Sequence, residues 1–313
     1  MNTSITLMNV IQGDIGFGTT GAVWNTTIST MLEQFIGEQI DLSEYFSDEG
    51  AVPAGQYGVQ SINVTGDLDE FDPLNSHTLS RGTTDFSSIR MTTADYGKEY
   101  VVNKRAIERM VSNLGSQVIE KIMRHIAHRT IFRKNNLILD AIDSGILSAN
   151  ATTEAFGMNM FYNFAERVEA NEIPSGNYML LCSVKTRQRL NDLDLFQNID
   201  TNGGNQRDPA VLGTVGSSEL GFGIDIVNCG VTLRQKFNNS NTILFVRRED
   251  IGYITEQGAE GLRVWTNYVD MNPKHEALEV TPKLSFGAGI NADGIAANMA
   301  ALKNRNIFKV TLT

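Results

Sequence analysis

The chain has 313 residues, 41% of them hydrophobic and 20% charged, with a formal net charge of −10. This is the composition of a folded protein that forms one large domain or two or three smaller cores, and it excludes a disordered or fibrous chain. No apolar run approaches the ~18 residues needed to cross a bilayer, and the start, MNTSITLMNVIQGD, lacks the basic and apolar regions of a signal peptide, so cytoplasmic synthesis and no membrane partner are expected. Cys182 and Cys229 stand in apolar contexts and read as buried thiols rather than a disulfide or metal pair.

Charge is unevenly spread. Residues 1–97 hold 13 acids against only Arg81 and Arg90, a balance of −11, and no lysine precedes Lys98. From Lys98 to Lys134 nine Lys and Arg face three Glu, a balance of +6. An acidic third followed by a basic segment predicts mutual attraction, within one chain or between chains.

In chain order, residues 1–50 read as an arm. A strand-like SITLMNVI precedes the Gly-rich QGDIGFGTTG and a short amphipathic helix over 27–40, with Ile28, Met31, Leu32, Phe35 and Ile36 on one side. One such helix cannot bury its own apolar face, so it needs the body of this subunit or a neighbour. Residues 51–97 carry period-two alternation at Val59–Val64 and few large apolar residues, which predicts a hairpin packing on something else. A short helix begins at Asn103, a good N-cap. A long helix follows from Ser116 to Ile142, free of Gly and Pro and roughly 40 Å long at 1.5 Å per residue. Met123, Ile126 and Thr130 share one face of it with Val118, Ile119 and Ile122. Lys121, Arg124, His125 and His128 lie opposite, and Leu137 to Ile142 are apolar on nearly all sides.

Beyond Gly145, residues 153–172 predict an amphipathic helix with Phe156, Phe161, Phe164 and Val168 inward. Then come a buried strand NYMLLCSV, a helix KTRQRLNDL anchored by Leu190 and Leu193, and a polar loop over 197–218. GFGIDIVNCGV and NTILFVRR read as strands. Residues 262–286 predict a hairpin turning at Asn272-Pro273, and the chain closes with a glycine-rich stretch and a short helix IAANMAALKN.

Candidate chemistry is sparse. Gly16, Gly18 and Gly21 spell G-x-G-x-x-G, but no second parallel strand follows to complete a dinucleotide unit, so flexible arm glycines are the better reading and no cofactor is expected. His125 and His128, three apart, lack a third ligand and sit beside Arg124 and Arg129, so no metal is expected. Lys121, Arg124, Arg129, Arg133 and Lys134 could meet phosphates non-specifically, although a basic tail and interleaved aromatics are absent. Arg133 points toward the apolar face and is expected to pair with a buried acid, Asp140 being the candidate. No catalytic residue emerges, so the expectation is a non-enzyme.

The ordered set resembles the major capsid proteins of tailed bacteriophages, the HK97-like shell fold shared with encapsulins. The segments that carry the resemblance are the helix VNKRAIERM and the long helix after it, YMLLCSVKTRQRLNDLD, GFGIDIVNCG with FVRREDIGYIT, and LRVWTNYVDMNPKHEALEV with PKLSFGAGINADGIAANM. The implied fold is α+β, with an N-arm (1–50), an E-loop (51–98) and a peripheral domain with a long spine helix (99–172). An axial α/β domain (173–260) and a closing peripheral hairpin with the C-terminal segment (261–313) complete it. The resemblance implies self-assembly into hexamers and pentamers of an icosahedral head around double-stranded DNA. It also implies a separate scaffolding protein, a portal and a decoration protein as partners, and assembly in the host bacterial cytoplasm. An encapsulin-like compartment is the alternative, although the long acidic arm and E-loop favour the phage.

In that family the E-loop lies across an adjacent subunit. Asp67, Asp69, Glu70, Asp72, Arg81 and Arg90 of the loop, and Lys121, Arg124, Arg129 and Lys134 of the spine, are the expected inter-subunit residues. Some members join an E-loop lysine to a neighbour's asparagine. Residues 51–97 contain no lysine, so covalent cross-linking is not expected here.

Overall fold

The computed structural model describes residues 34–35, 39–53, 57–60, 63–65, 83–85, 89–103, 117–170, 178–191, 214–215, 224–237, 241–256, 262–269, 277–290 and 306–313. The helix at Asn103, the terminal helix IAANMAALKN, the 16–21 glycines and most of the helix over 27–40 and of the polar loop lie outside these residues.

Sixteen strands are described, numbered in chain order: β1 Ser47–Val52, β2 Tyr57–Gln60, β3 Asn63–Thr65, β4 Thr83–Asp85, β5 Ile89–Thr92, β6 Ala94–Gly97, β7 Tyr100–Asn103, β8 Ala151–Glu154, β9 Tyr178–Cys182, β10 Thr214–Val215, β11 Ile224–Asn228, β12 Thr242–Arg247, β13 Ile251–Glu256, β14 Leu262–Val269, β15 Ala277–Ile290 and β16 Phe308–Leu312. The α-helices are α1 Gln117–Gly145, α2 Met158–Ala170, α3 Val184–Asn191 and α4 Gly230–Phe237.

Two six-stranded sheets carry the fold. In the first, the order is β1-β13-β15-β14, with β6 and β7 also paired to β15. In the second it is β10-β11-β9-β12-β16-β8. Residues 57–92 form two nested antiparallel ladders, β2 with β5 and β3 with β4, which is the hairpin expected from the alternation around Val59.

Strand β9 shows why the second sheet is buried on both faces. All five of its residues are buried. Tyr178, Leu180 and Cys182 enter one apolar cluster, while Met179 and Leu181 enter another, as period-two side chains must. Strand β12 repeats this, with Ile243 and Phe245 on one side and Leu244 and Val246 on the other. The first cluster is closed by α2, whose Phe161, Phe164 and Val168 face inward as predicted, joined by Met160, while Phe156 is half-buried ahead of the helix and packs against the cluster from there. Phe164 stacks on Phe245 at 4.0 Å between centroids and meets Tyr178 and Phe308 edge-on at 5.0 and 5.2 Å. The second cluster is closed by α1, whose Ile138, Leu139 and Ile142 join a core that includes Val246 of the second sheet and Phe286 of the first.

Three elements depart from the sequence reading. Residues 151–154 extend as β8 instead of opening the helix, which starts at Met158. Residues 230–237 form α4, although Gly230 and Val231 read as the end of the strand GFGIDIVNCGV. Residues 308–312 form β16 and close the second sheet between β12 and β8. Sheet membership therefore cuts across the expected segments: β13, placed with 173–260, lies in the first sheet, whereas β8 and β16 lie in the second.

Strand β15 is shared by four partners. Its pairing with β6 and β7 keeps one continuous register, Gly97 opposite Lys283 and Tyr100 opposite Val280. The gap between those two strands falls opposite Pro282, which has no N–H to donate. Nearby, Gly287 lets the chain approach closely: a Cβ there would stand 2.2 Å from the Thr92 carbonyl oxygen, a backbone atom that cannot swing aside.

Two substitutions test this packing. Phe164→Ala should lower unfolding stability by about 3–5 kcal/mol, as deletion of a core Phe does, read from denaturant titration of the purified protein. Gly287→Ala should be destabilising even though it adds only a methyl group, and a melting temperature equal to that of the parent would contradict the close approach at Thr92.

Candidate assembly surface

The basic segment lies on α1, and its first half is amphipathic as expected. Met123, Ile126, Ala127 and Ile131 are buried, while Lys121, Arg124, His125, His128 and Arg129 are exposed. Each cation has a distinct setting. Arg124 pairs with Glu120 one turn back at 3.5 Å and lies over the Phe35 ring at 4.6 Å. His128 Nδ1 stands 3.2 Å from Gln39 Oε1. Lys134 Nζ donates to Asp41 Oδ2 at 2.6 Å, with both side chains mostly buried.

These contacts rise together along sequence and helix, so residues 39–46 run alongside α1 in its own direction. Asn135 fixes the register. Its Oδ1 accepts from Leu42 N–H at 2.9 Å and its Nδ2 donates to the Ile40 carbonyl at 2.8 Å. Asp41 caps the short 3-10 turn Leu42–Tyr45 through Ser43 N–H at 3.0 Å while also holding Lys134. Leu42 and Phe46 then enter the cluster shared by both sheets. At this point the acidic arm and the basic helix meet within one chain, and Lys134 is engaged by its own subunit.

Arg133 corrects the sequence reading. It is exposed and lies over the Tyr96 ring at 4.5 Å. Asp140 is exposed instead of buried, and it pairs with Lys236 of α4. The reason is the strand β6, which passes over this side of the helix and offers an aromatic face to a guanidinium that remains hydrated at its rim.

Beside it opens a cleft of about 350 Å³, lined by Lys98, Arg129, Arg133, Asp95, Tyr96 and neighbouring backbone, with Pro282 in its wall. Asp95 accepts a hydrogen bond from Ser285 Oγ. The cleft thus presents three cations and one acid that already has a partner, directly where the β15 ladder is interrupted. Lys98 and Arg133 were not among the expected inter-subunit cations, since no spacing rule brings residue 98 to residue 129.

Asp67, Asp69, Glu70, Asp72 and Arg81 lie outside the described residues, and Arg90 is placed only as a ladder residue opposite Val59. Among the described residues, no group of three or more His, Cys, Asp or Glu is placed to hold a metal ion. Among them, too, no helix is long and apolar enough to cross a membrane.

No protein-family model matches the sequence, and no curated protein matches it either. Solved structures do. The chain superposes on the capsid structure of the cyanophage P-SCSP1u with a TM-score of 0.54 at 11% identity, over 88% of this chain and 89% of that one. The head structure of Helicobacter pylori bacteriophage KHP40 matches with a TM-score of 0.55 at 9% identity, over 84% and 88%. The fold is that of HK97-like phage capsid subunits. A virus-like particle from Pyrococcus furiosus also matches, with a TM-score of 0.50 at 10% identity over 92% and 99%.

The two cysteines are free and buried near each other, Cys229 N–H donating to the Cys182 carbonyl at 3.0 Å. Burial pushes the Cys182 thiol up to about 12 and raises that of Cys229 as well. Both therefore stay protonated through neutral and mildly alkaline pH, and neither should react with a thiol reagent at pH 8 until the chain is unfolded. Asn135→Ala strands the Leu42 N–H and the Ile40 carbonyl, so it should cost about 1–3 kcal/mol and open the 39–46 stretch to limited proteolysis.

Proposed function

We propose that the protein is the major capsid subunit of a tailed phage, a structural and non-enzymatic protein that self-associates into hexamers and pentamers of an icosahedral head. The observation that carries this reading is the fold match over most of the chain to phage capsid and head structures. The architecture supports it physically. The nested hairpin of 57–92 has only two strands in each ladder, a form that is marginal in water on its own and gains stability by lying on a neighbour. The compartment alternative shares the fold, but the acidic arm and E-loop support the phage reading.

Within this proposal the segments keep their roles: N-arm 1–50, E-loop 51–98, peripheral domain 99–172, axial domain 173–260 and closing segment 261–313. The acids Asp67, Asp69, Glu70 and Asp72 of one subunit face cations of another, and the exposed Lys121 and Arg129 are the spine cations best placed for them. Arg124 contributes from its position over Phe35. Complementary charge of this kind steers encounter and register more than it adds affinity. A scaffolding protein, a portal and a decoration protein are the proposed partners. Packaged double-stranded DNA is bound without sequence preference, and assembly takes place in the host bacterial cytoplasm before the subunit resides in the virion capsid.

Electron microscopy of the expressed protein, alone and with a candidate scaffold, tests the reading: closed shells are expected, and persistent monomers under both conditions would refute it. Arg129→Glu separates assembly from folding. As an exposed substitution it should change subunit stability by no more than about 0.5 kcal/mol, while the yield of shells falls. Shells that form equally well at low and high salt would argue against a charge-based contact.

A further inference from the structure

The chain passes between the two sheets three times. It goes from α1 into β8 through 146–150, from β12 to β13 through the 3-10 turn Arg248–Asp250, and from β15 to β16 ending at 306–307. These three passages are far apart in sequence, yet buried polar side chains join them at one place. Asp250 is 1% exposed, and Asn150 and Asn306 are each 4% exposed.

The Asp250 carboxylate takes one hydrogen bond from each side. Its Oδ2 accepts from Arg247 N–H at 3.0 Å, at the end of β12. Its Oδ1 accepts from Asn306 Nδ2 at 2.9 Å, at the entry to β16. One residue further on, the Ile307 carbonyl accepts from Asn150 Nδ2 at 3.1 Å, at the entry to β8. Asn306 and Ile307 therefore hold the second passage by one bond and the first by another.

Apolar contact surrounds this set. Ile146, Ile251, Ile290 and Ile307 belong to the cluster common to both sheets, and a Cβ on Gly145 would stand 2.7 Å from Ile290 Cδ1. Such contact is strong but non-directional, so it resists separation of the sheets better than it resists their rotation. Hydrogen bonds to a buried carboxylate are directional and charge-assisted, and an acceptor left unpaired there is costly. The polar set thus specifies one angle out of those that apolar packing permits.

We propose that Asp250, Asn306 and Asn150 form a clasp that sets the angle between the two sheet units, and through it the curvature a subunit imposes on its neighbours; the second half of this rests on the shell reading above. The decisive variant is Asn306→Ala. It removes the link between passages and leaves Asp250 its bond from Arg247 N–H, so the 3-10 turn keeps its cap. Asp250→Ala removes both bonds and should have the larger effect, but its interpretation requires that it fold.

The test measures the angle without relying on assembly. Spin labels at Val101→Cys and Tyr162→Cys, both exposed positions, report the distance between the first-sheet side and the second-sheet side. The buried native thiols stay unlabelled. In the otherwise unaltered subunit the distance distribution should be narrow. With Asn306→Ala it should broaden while far-UV circular dichroism is retained, and Asn150→Ala should broaden it too. An unchanged distribution in Asn306→Ala overturns the clasp. Shells from Asn306→Ala should be mixed in diameter, and a broadened distribution with shells of uniform, parental diameter overturns the link to curvature. If the parent protein itself fails to assemble, the shell reading falls while the distances still decide the clasp.

Discussion

The structure depends on one burial event, the enclosure of the second half of the spine helix between two sheets. Ile138, Leu139 and Ile142 are fully buried, in a cluster that draws residues from both sheets. Removing such side chains from water is worth about 1.5–3 kcal/mol each, so this short stretch contributes to both sheets at once. The first half of the same helix does something different. Its buried side is thinner, and its charged side meets residues 39–46 and strand β6. A single helix thereby divides its length between a core shared by both sheets and an exposed, charged face.

Where the acidic and basic parts of the chain meet proved to be two questions. At Asp41 and Lys134 they meet inside one chain, because Asn135 holds Ile40 and Leu42 against the helix and so sets Asp41 beside the ammonium. Around Arg129 and the neighbouring cleft, cations converge with a single acid among them, and that acid already serves Ser285. The division follows from geometry and not from sequence distance, since Lys134 and Arg129 are little more than one helical turn apart.

Much of the fold was legible because burial leaves periodic marks. The run YMLLC could only be a strand covered on both faces, and the spacing of Phe161, Phe164 and Val168 marked one side of a helix. The misses have physical causes. The segment GVTLRQKF is short and its polar and apolar residues are evenly mixed, so tertiary packing decides its helix more than any local pattern does. FKVTL alternates as a strand should, but it follows the expected helix IAANMAALKN, and nothing local tells which sheet it joins. Arg133 was assigned to Asp140 on helix spacing alone. Pairwise spacing cannot foresee a strand such as β6 arriving from elsewhere to supply Tyr96. The candidate surface was legible as a charge balance, while its focus at Lys98, Arg129 and Arg133 needed the fold.

The missing rung opposite Pro282 carries a mechanical consequence. Strand β15 is 14 residues long and is bordered on one side by a chain that holds a single register from Ala94 to Asn103. A ladder of equal rungs would spread any torque along its whole length and would lose hydrogen bonds if it yielded. On the β6–β7 edge the ladder lacks a rung at Pro282, whereas on the opposite edge Val264 of β14 still pairs with it. The two edges of one strand therefore differ in stiffness, and the softer edge borders the three cations of the cleft.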